Sequence, residues 1–257
     1  MPLFTDEERE QIRTELVTSA KGDSRIAGAA HTGSAASGLM DRWSDIDLAL
    51  CLAPEANLNE VLTDWTDRLY QKYQGAAHHD LRYGNTLFRV FLLKSTLQVD
   101  LAFWLHDEFA AMGPNFKLIF GAAKDSGAVP APAAQDLIGM AWLYALHARS
   151  SILRGRMWQA EYMLSGMRDQ VLALACLRKG LPAVQGRGVD DLPPEISNAA
   201  IECLVHSLAA TELKRAFCAT MRALLNEIEC VDVERTKCVA GPLNMLIESL
   251  GDAGLPR

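Results

Sequence analysis

The chain has no run of about 18 apolar residues free of charge, no C-x-x-C pair and no surplus of basic residues. The first absence predicts that no helix crosses a membrane. The second removes zinc-ribbon and thioredoxin-like chemistry. The six cysteines (Cys51, Cys176, Cys203, Cys218, Cys230 and Cys238) are scattered, and read as reduced thiols of a cytoplasmic protein. Lys plus Arg number 25 against 32 Asp plus Glu, a net charge of -7, so the electrostatic footprint of a long nucleic-acid partner is missing. The opening MPLFTDEEREQ turns acidic and polar within a few residues, so no signal peptide is expected. Neither an internal repeat nor a low-complexity tract is visible. What remains is ordinary globular material: 49% hydrophobic residues over 257 positions are enough for one large or two modest cores.

The pattern of elements changes partway along. Thr5 and Glu8 have capping-box spacing and predict a helix that carries Ile12 and Leu16 on one face and ends at Lys21-Gly22-Asp23. Arg25 to Ala30 predicts a strand running into a turn, His31-Thr32-Gly33-Ser34, and Asp45 to Leu52 a second strand. Leu58, Val61, Leu62, Trp65, Leu69 and Tyr73 recur at helical spacing, predicting a helix over 57–74. Thr86 to Leu93 and Leu97 to Trp104 read as strands joined by a hairpin at Lys94-Ser95-Thr96. The Gly-, Ala- and Pro-rich stretch 121–134 reads as a linker. Beyond it helices are expected over 135–154, 158–179, 194–209, 212–229 and 242–250. The fold class is therefore α+β: a mixed β-sheet domain, 1–125, followed by an all-helical bundle, 126–257.

The segment HTGSAASGLMDRWSDIDLAL, His31 to Leu50, carries the chemistry. Glycine at Gly33 lets backbone approach a ligand closely, and Ser34 adds a hydroxyl beside amides that can face phosphate oxygens. Asp45 and Asp47 are two apart on a strand, so both carboxylates project to one side while Ile46 and Leu48 face the other. Carboxylates held together repel, and a hard divalent cation such as magnesium, which bridges protein carboxylates to phosphates, is the natural compensation. Asp100 is the lone charge in the apolar strand LQVDLAFW, so it needs a partner. A metal is one; an arginine such as Arg89 is another.

This constellation resembles the DNA polymerase beta-like nucleotidyltransferase superfamily, whose signature is Gly-Ser, about ten residues, Asp-x-Asp, and a later acid. Gly33, Ser34, Asp45, Asp47 and Asp100 match it. The two-part layout looks like the antibiotic nucleotidyltransferases acting on aminoglycosides or lincosamides, and Lys124-Asp125-Ser126-Gly127 ahead of Pro130 and Arg154-Gly155 between two helices look most like the larger lincosamide enzymes. The resemblance implies transfer of a nucleoside monophosphate, AMP from ATP, to a hydroxyl of a small molecule. It implies two magnesium ions on Asp45, Asp47 and Asp100, with Ser34 on the terminal phosphates and Arg42, Arg89 or Lys94 neutralising pyrophosphate. The general base would be Asp100 or, as in some relatives, a second-domain carboxylate, here Glu161. A homodimer is a further expectation from the relatives, as is a role in antibiotic resistance. Two other readings stand beside it: an antitoxin-like enzyme modifying a protein or RNA, and a non-catalytic nucleotide-binding regulator.

Other clusters read more plainly. His78-His79-Asp80 is expected in a polar loop, since adjacent side chains diverge. His31 could touch a phosphate or brace its turn. Trp142, Tyr144, Trp158 and Tyr162 read as core or interface residues, and Arg149, Arg154 and Arg156 as a solvated helix end.

Overall fold

The computed structural model describes residues 4–111, 113, 115–125, 127 and 130–250. The chain divides into two compact units, Met1–Val129 and Pro130–Arg257.

In the first unit, α1 (Asp6–Gly22) opens on the expected capping box, with the Glu8 amide donating to Thr5 Oγ1 and the Thr5 amide to Glu8 Oε2. A sheet follows, made of β1 (Ile26–Thr32), β2 (Ile46–Leu52), β3 (Gly75–Tyr83), β4 (Thr86–Leu93), β5 (Gln98–Trp104) and β7 (Phe116–Phe120), in the order β3-β4-β5-β2-β1-β7. All its neighbours are antiparallel except β2 and β5. A separate two-residue pairing joins β6 (Ala110–Ala111) to β8 (Lys124–Asp125). The helix α3 (Leu58–Tyr73), capped by Asn57, turns Val61, Leu62, Trp65 and Leu69 inward. These meet Leu16 and Ala20 of α1 and Ile46, Leu48, Leu50, Leu101 and Phe103 of the central strands in one core. Burying side chains of this size contributes about 1.5–3 kcal/mol each, which anchors the central strands to α1 and α3.

Three expectations for this unit change. The turn at Gly33-Ser34 is one short helical segment, α2 (Gly33–Ser37), closed by Gly38 in the left-handed region. The segment expected as a polar loop, His78-His79-Asp80, lies inside β3. It is a sheet-edge strand whose residues are largely exposed, so it carries no apolar alternation to announce it. The strands β6, β7 and β8 are additions, and β8 falls inside the stretch expected as linker. Ser126 and positions 128 and 129 of that stretch lie outside the described residues.

The second unit is helical: α4 (Ala134–Leu153), α5 (Met157–Arg178), α6 (Pro194–Ile201), α7 (Ala210–Val231) and α8 (Val233–Glu248). Its core is drawn from α4, α5 and α7, with Ile138, Ala141, Leu164, Met167, Phe217 and Met221 buried together. Arg178 donates two 2.8 Å hydrogen bonds to the buried Glu227, tying α5 to α7. The expected 194–209 helix stops at Ile201. The expected 242–250 helix starts nine residues earlier, where Asp232 caps α8 by accepting from the Arg235 amide. Pro242, read as a helix start, lies within α8. Among the described residues no helix is long and apolar enough to cross a membrane.

Candidate active site

Asp45 stands immediately before β2, Asp47 is its second residue, and Asp100 is the third residue of β5. Because β2 and β5 run parallel with Asp47 opposite Asp100, the two carboxylates project from the same sheet face. The intervening Ile46 and Leu48 are buried in the core on the other side. One carboxylate oxygen from each of Asp45, Asp47 and Asp100 lies within 4.8 Å of the others. That is a hard, all-oxygen donor set able to hold a metal ion.

The surroundings fit a metal and an oxyanion. Gly33 has φ +58°, and a Cβ added there would lie 2.0 Å from Asp47 Oδ2 and 2.8 Å from its Cγ. Only glycine fits against this carboxylate, on both conformational and steric grounds. Next to it, Ser34 Oγ is buried without a hydrogen-bond partner among the described residues. A buried hydroxyl left unsatisfied costs about 1–3 kcal/mol, so such a group marks a place for a missing acceptor.

Gln98, which the sequence reading passed over, is the residue that touches two of the three acids. Its Nε2 donates to Asp100 Oδ1 and Oδ2 at 3.0 and 3.1 Å and lies 3.3 Å from Asp45 Oδ2. The signal for it was available: two residues before Asp100 on the same strand, it shares the Asp100 face. Burial pushes the Asp100 carboxyl up to about 6; the Gln98 hydrogen bond pulls it down and the Asp45 charge adds to the rise.

Of the three candidate cations, one is committed elsewhere. Arg89 is not available to the acids. It lies opposite Leu101 on the core side of the sheet, donating to both oxygens of Asp80 at 2.7 Å and to Thr66 Oγ1 at 2.6 Å. The alternative partnership of Asp100 with Arg89 is excluded for the same reason. Arg42 is exposed, its guanidinium 4.3 Å above the ring of the exposed Trp43. Their loop is held at its base by Arg9, which donates to the Asp41 and Ser44 carbonyls at 2.5 and 3.2 Å. Lys94 is exposed in the β4–β5 turn, its backbone amide bonded to the Gln74 carbonyl.

His31 pairs with Leu48 and so points to the face opposite the carboxylates, where burial holds its imidazole below its usual range. A phosphate contact from His31 is thereby removed. His78 bonds the Tyr70 hydroxyl at 3.0 Å. In the helical unit, Glu161 of α5 is half-buried and accepts a 2.7 Å hydrogen bond from Ser165. Trp158 and Tyr162 are exposed rather than core residues, while Tyr144 packs its ring where a Cβ on Gly166 would stand.

No protein-family model matches the chain, and no curated protein matches it. Among solved structures, it is similar to an aminoglycoside 6-adenyltransferase from Bacillus subtilis, at 13% identity and a TM-score of 0.41, over 93% of this chain and 98% of that one.

Proposed function

We propose that this chain is a magnesium-dependent nucleotidyltransferase, transferring AMP from ATP to a hydroxyl of a small-molecule acceptor of the lincosamide or aminoglycoside type. The observation that supports it is the meeting of Asp45, Asp47 and Asp100 within 4.8 Å, with Gly33 fitted against Asp47. In this reading Asp45, Asp47 and Asp100 hold two magnesium ions, which supply charge stabilisation to the attacking and leaving oxygens of an in-line displacement. Ser34 Oγ donates to a terminal phosphate oxygen, which satisfies a hydroxyl otherwise left alone. Arg42 and Lys94 neutralise the departing pyrophosphate. Asp100, on the same face as the two other acids, takes the proton of the acceptor hydroxyl. Glu161 is the alternative base. Residues 1–125 form the catalytic part and 126–257 a helical part of a cytoplasmic enzyme of antibiotic resistance.

The test is transfer of label from α-phosphate-labelled ATP to a panel of lincosamides and aminoglycosides in magnesium. Label on a drug, lowered at least about a thousandfold in Asp47→Ala, is the expected outcome. Label on a protein or RNA instead would favour the antitoxin-like reading. Nucleotide binding without pyrophosphate release would favour a regulator. Magnesium–ATP binding unchanged in an Asp45→Asn/Asp47→Asn variant would end the proposal.

A further inference from the structure

The three acids are not held in the same way. Asp47 and Asp100 belong to the β2–β5 ladder, where they stand opposite each other. Asp45 stands outside it: the register of β2 with β5 begins one residue later, at Ile46 opposite Val99. The Asp45 carboxylate meets the exposed Gln98 at 3.3 Å. The sheet therefore fixes Asp45 only from the Ile46 side, and its direction depends on the chain that leads into it.

That chain is a closed turn, Asp41-Arg42-Trp43-Ser44. The Ser44 amide donates to the Asp41 carbonyl at 3.2 Å, and the Trp43 amide to Asp41 Oδ1 at 2.8 Å. Ser44 Oγ accepts from the Asp41 amide at 2.9 Å and donates to Asp41 Oδ1 at 3.1 Å. Arg42 and Trp43 at the tip are exposed, so packing does not anchor it.

Arg9 of α1 supplies the anchor. It is 4% exposed, a rare degree of burial for a charged side chain. Asp6 Oδ1 at 3.3 Å and Glu10 Oε1 at 3.7 Å balance its charge. Its Nη1 leaves the helix and donates to the Asp41 and Ser44 carbonyls. The second of these carbonyls matters most. The Ser44 oxygen and the Asp45 nitrogen share one rigid peptide plane, so fixing the oxygen fixes the plane from which Asp45 departs. Asp45 is thus gripped from both sides, by Arg9 before it and by the ladder after it. One turn further along α1, Arg13 Nη1 lies 3.2 Å from Met40 Sδ, so the helix touches the same segment twice.

Resting on the reading of the triad as a metal site, we propose that Arg9 is a positioning residue for it. Through the Ser44 carbonyl it holds the Asp45 carboxylate where Asp45, Asp47 and Asp100 can share a cation. Arg9 touches neither the cation nor the nucleotide; it acts through one peptide.

The test uses the full chain and manganese alone, an ion that the oxygen ligands of magnesium also suit, with free and bound ion followed by electron paramagnetic resonance. Arg9→Met keeps an unbranched side chain and removes the donors. Manganese affinity should fall about 10–100-fold, as it does when other groups that orient metal-binding carboxylates are removed. Arg89→Met is the control for lost stability. It removes a largely buried arginine of the same unit, whose partners Asp80 and Thr66 lie on the core side of the sheet. It should melt at a lower temperature and bind manganese like the parent. Ser44→Ala opens the turn without leaving a buried charge, and should weaken manganese binding in the same direction as Arg9→Met but less.

An Arg9→Met protein that melts lower yet binds manganese like the parent overturns the inference, leaving Arg9 a structural arginine. An equal loss of affinity in Arg89→Met also overturns it, because any destabilisation would then loosen the site. Where Arg9→Met does not fold, Ser44→Ala decides, and parental affinity in that variant overturns the inference. If manganese binding survives Asp45→Asn/Asp47→Asn, or the parent binds none, the metal reading of the triad has itself failed, and the proposed function with it.

Discussion

Asp80 sits on β3 and Asp100 on β5, on opposite faces of one sheet. Asp80 faces α3 and meets the guanidinium of Arg89 through two hydrogen bonds, which hold its carboxyl below the usual range. Asp100 meets the neutral amide of Gln98 and two further carboxylates, and its own carboxyl is pushed up. One face uses an acid to fasten a strand to the core. The other gathers three acids within 4.8 Å of one another. Clustered, partly buried charge of this kind is costly to folding and is expected where chemistry is done.

The contrast can be broken most severely at Gly33. A methyl group there collides with Asp47, so Gly33→Ala should reduce nucleotidyl transfer about a hundredfold or more and cost about 1–3 kcal/mol of stability. Steady-state rates and urea unfolding measure the two; a fully active Gly33→Ala would mean that the Asp47 position is not needed.

A smaller change is expected from Gln98→Met, which keeps length and removes the donor. Groups that orient metal-binding carboxylates typically contribute 10–100-fold to metal affinity. Manganese binding followed by electron paramagnetic resonance should weaken by about that factor, with turnover recovering at saturating metal. Unchanged affinity would reduce Gln98 to a surface residue.

The smallest effects are the most direct test of the two-face contrast, because they have opposite signs. The Asp80 carboxyl is lowered by folding, so it stabilises above the unfolded value near 4 and loses that contribution as pH falls through its folded value. Asp80→Asn should therefore destabilise at pH 7, with the difference closing in acid. The Asp100 carboxyl is raised to about 6, so its ionisation opposes folding: the penalty is absent below about pH 4 and complete above about pH 6. Without divalent metal, Asp100→Asn should be the more stable protein at pH 7, by on the order of 1 kcal/mol after solvent screening, and equal at pH 4. Urea midpoints at the two pH values decide it. A destabilised Asp100→Asn at pH 7 would place Asp100 with Asp80, as a structural acid.

Much of this was legible from local pattern. The Thr5–Glu8 box, the helical spacing of Leu58 to Tyr73 and the Asp45–Asp47 alternation are properties of neighbouring residues, and each appears where it was expected. β3 was not legible, because its residues are mostly exposed and its strand identity comes from bonding to β4. The first part of α8 was hidden by Gly241-Pro242, which resembles a helix boundary but lies inside a helix.

Short-range order in this chain, then, follows from spacing: which residues cap, which alternate, which acids can share a side. Partnership does not. That Arg89 belongs to Asp80, that Gln98 rather than an arginine answers Asp100, and that His31 faces away from the carboxylates all depend on which strands become neighbours and in what register. Those are contacts between residues distant along the chain, set by the packing of the whole sheet against α1 and α3. A one-residue slip in any strand would reverse them.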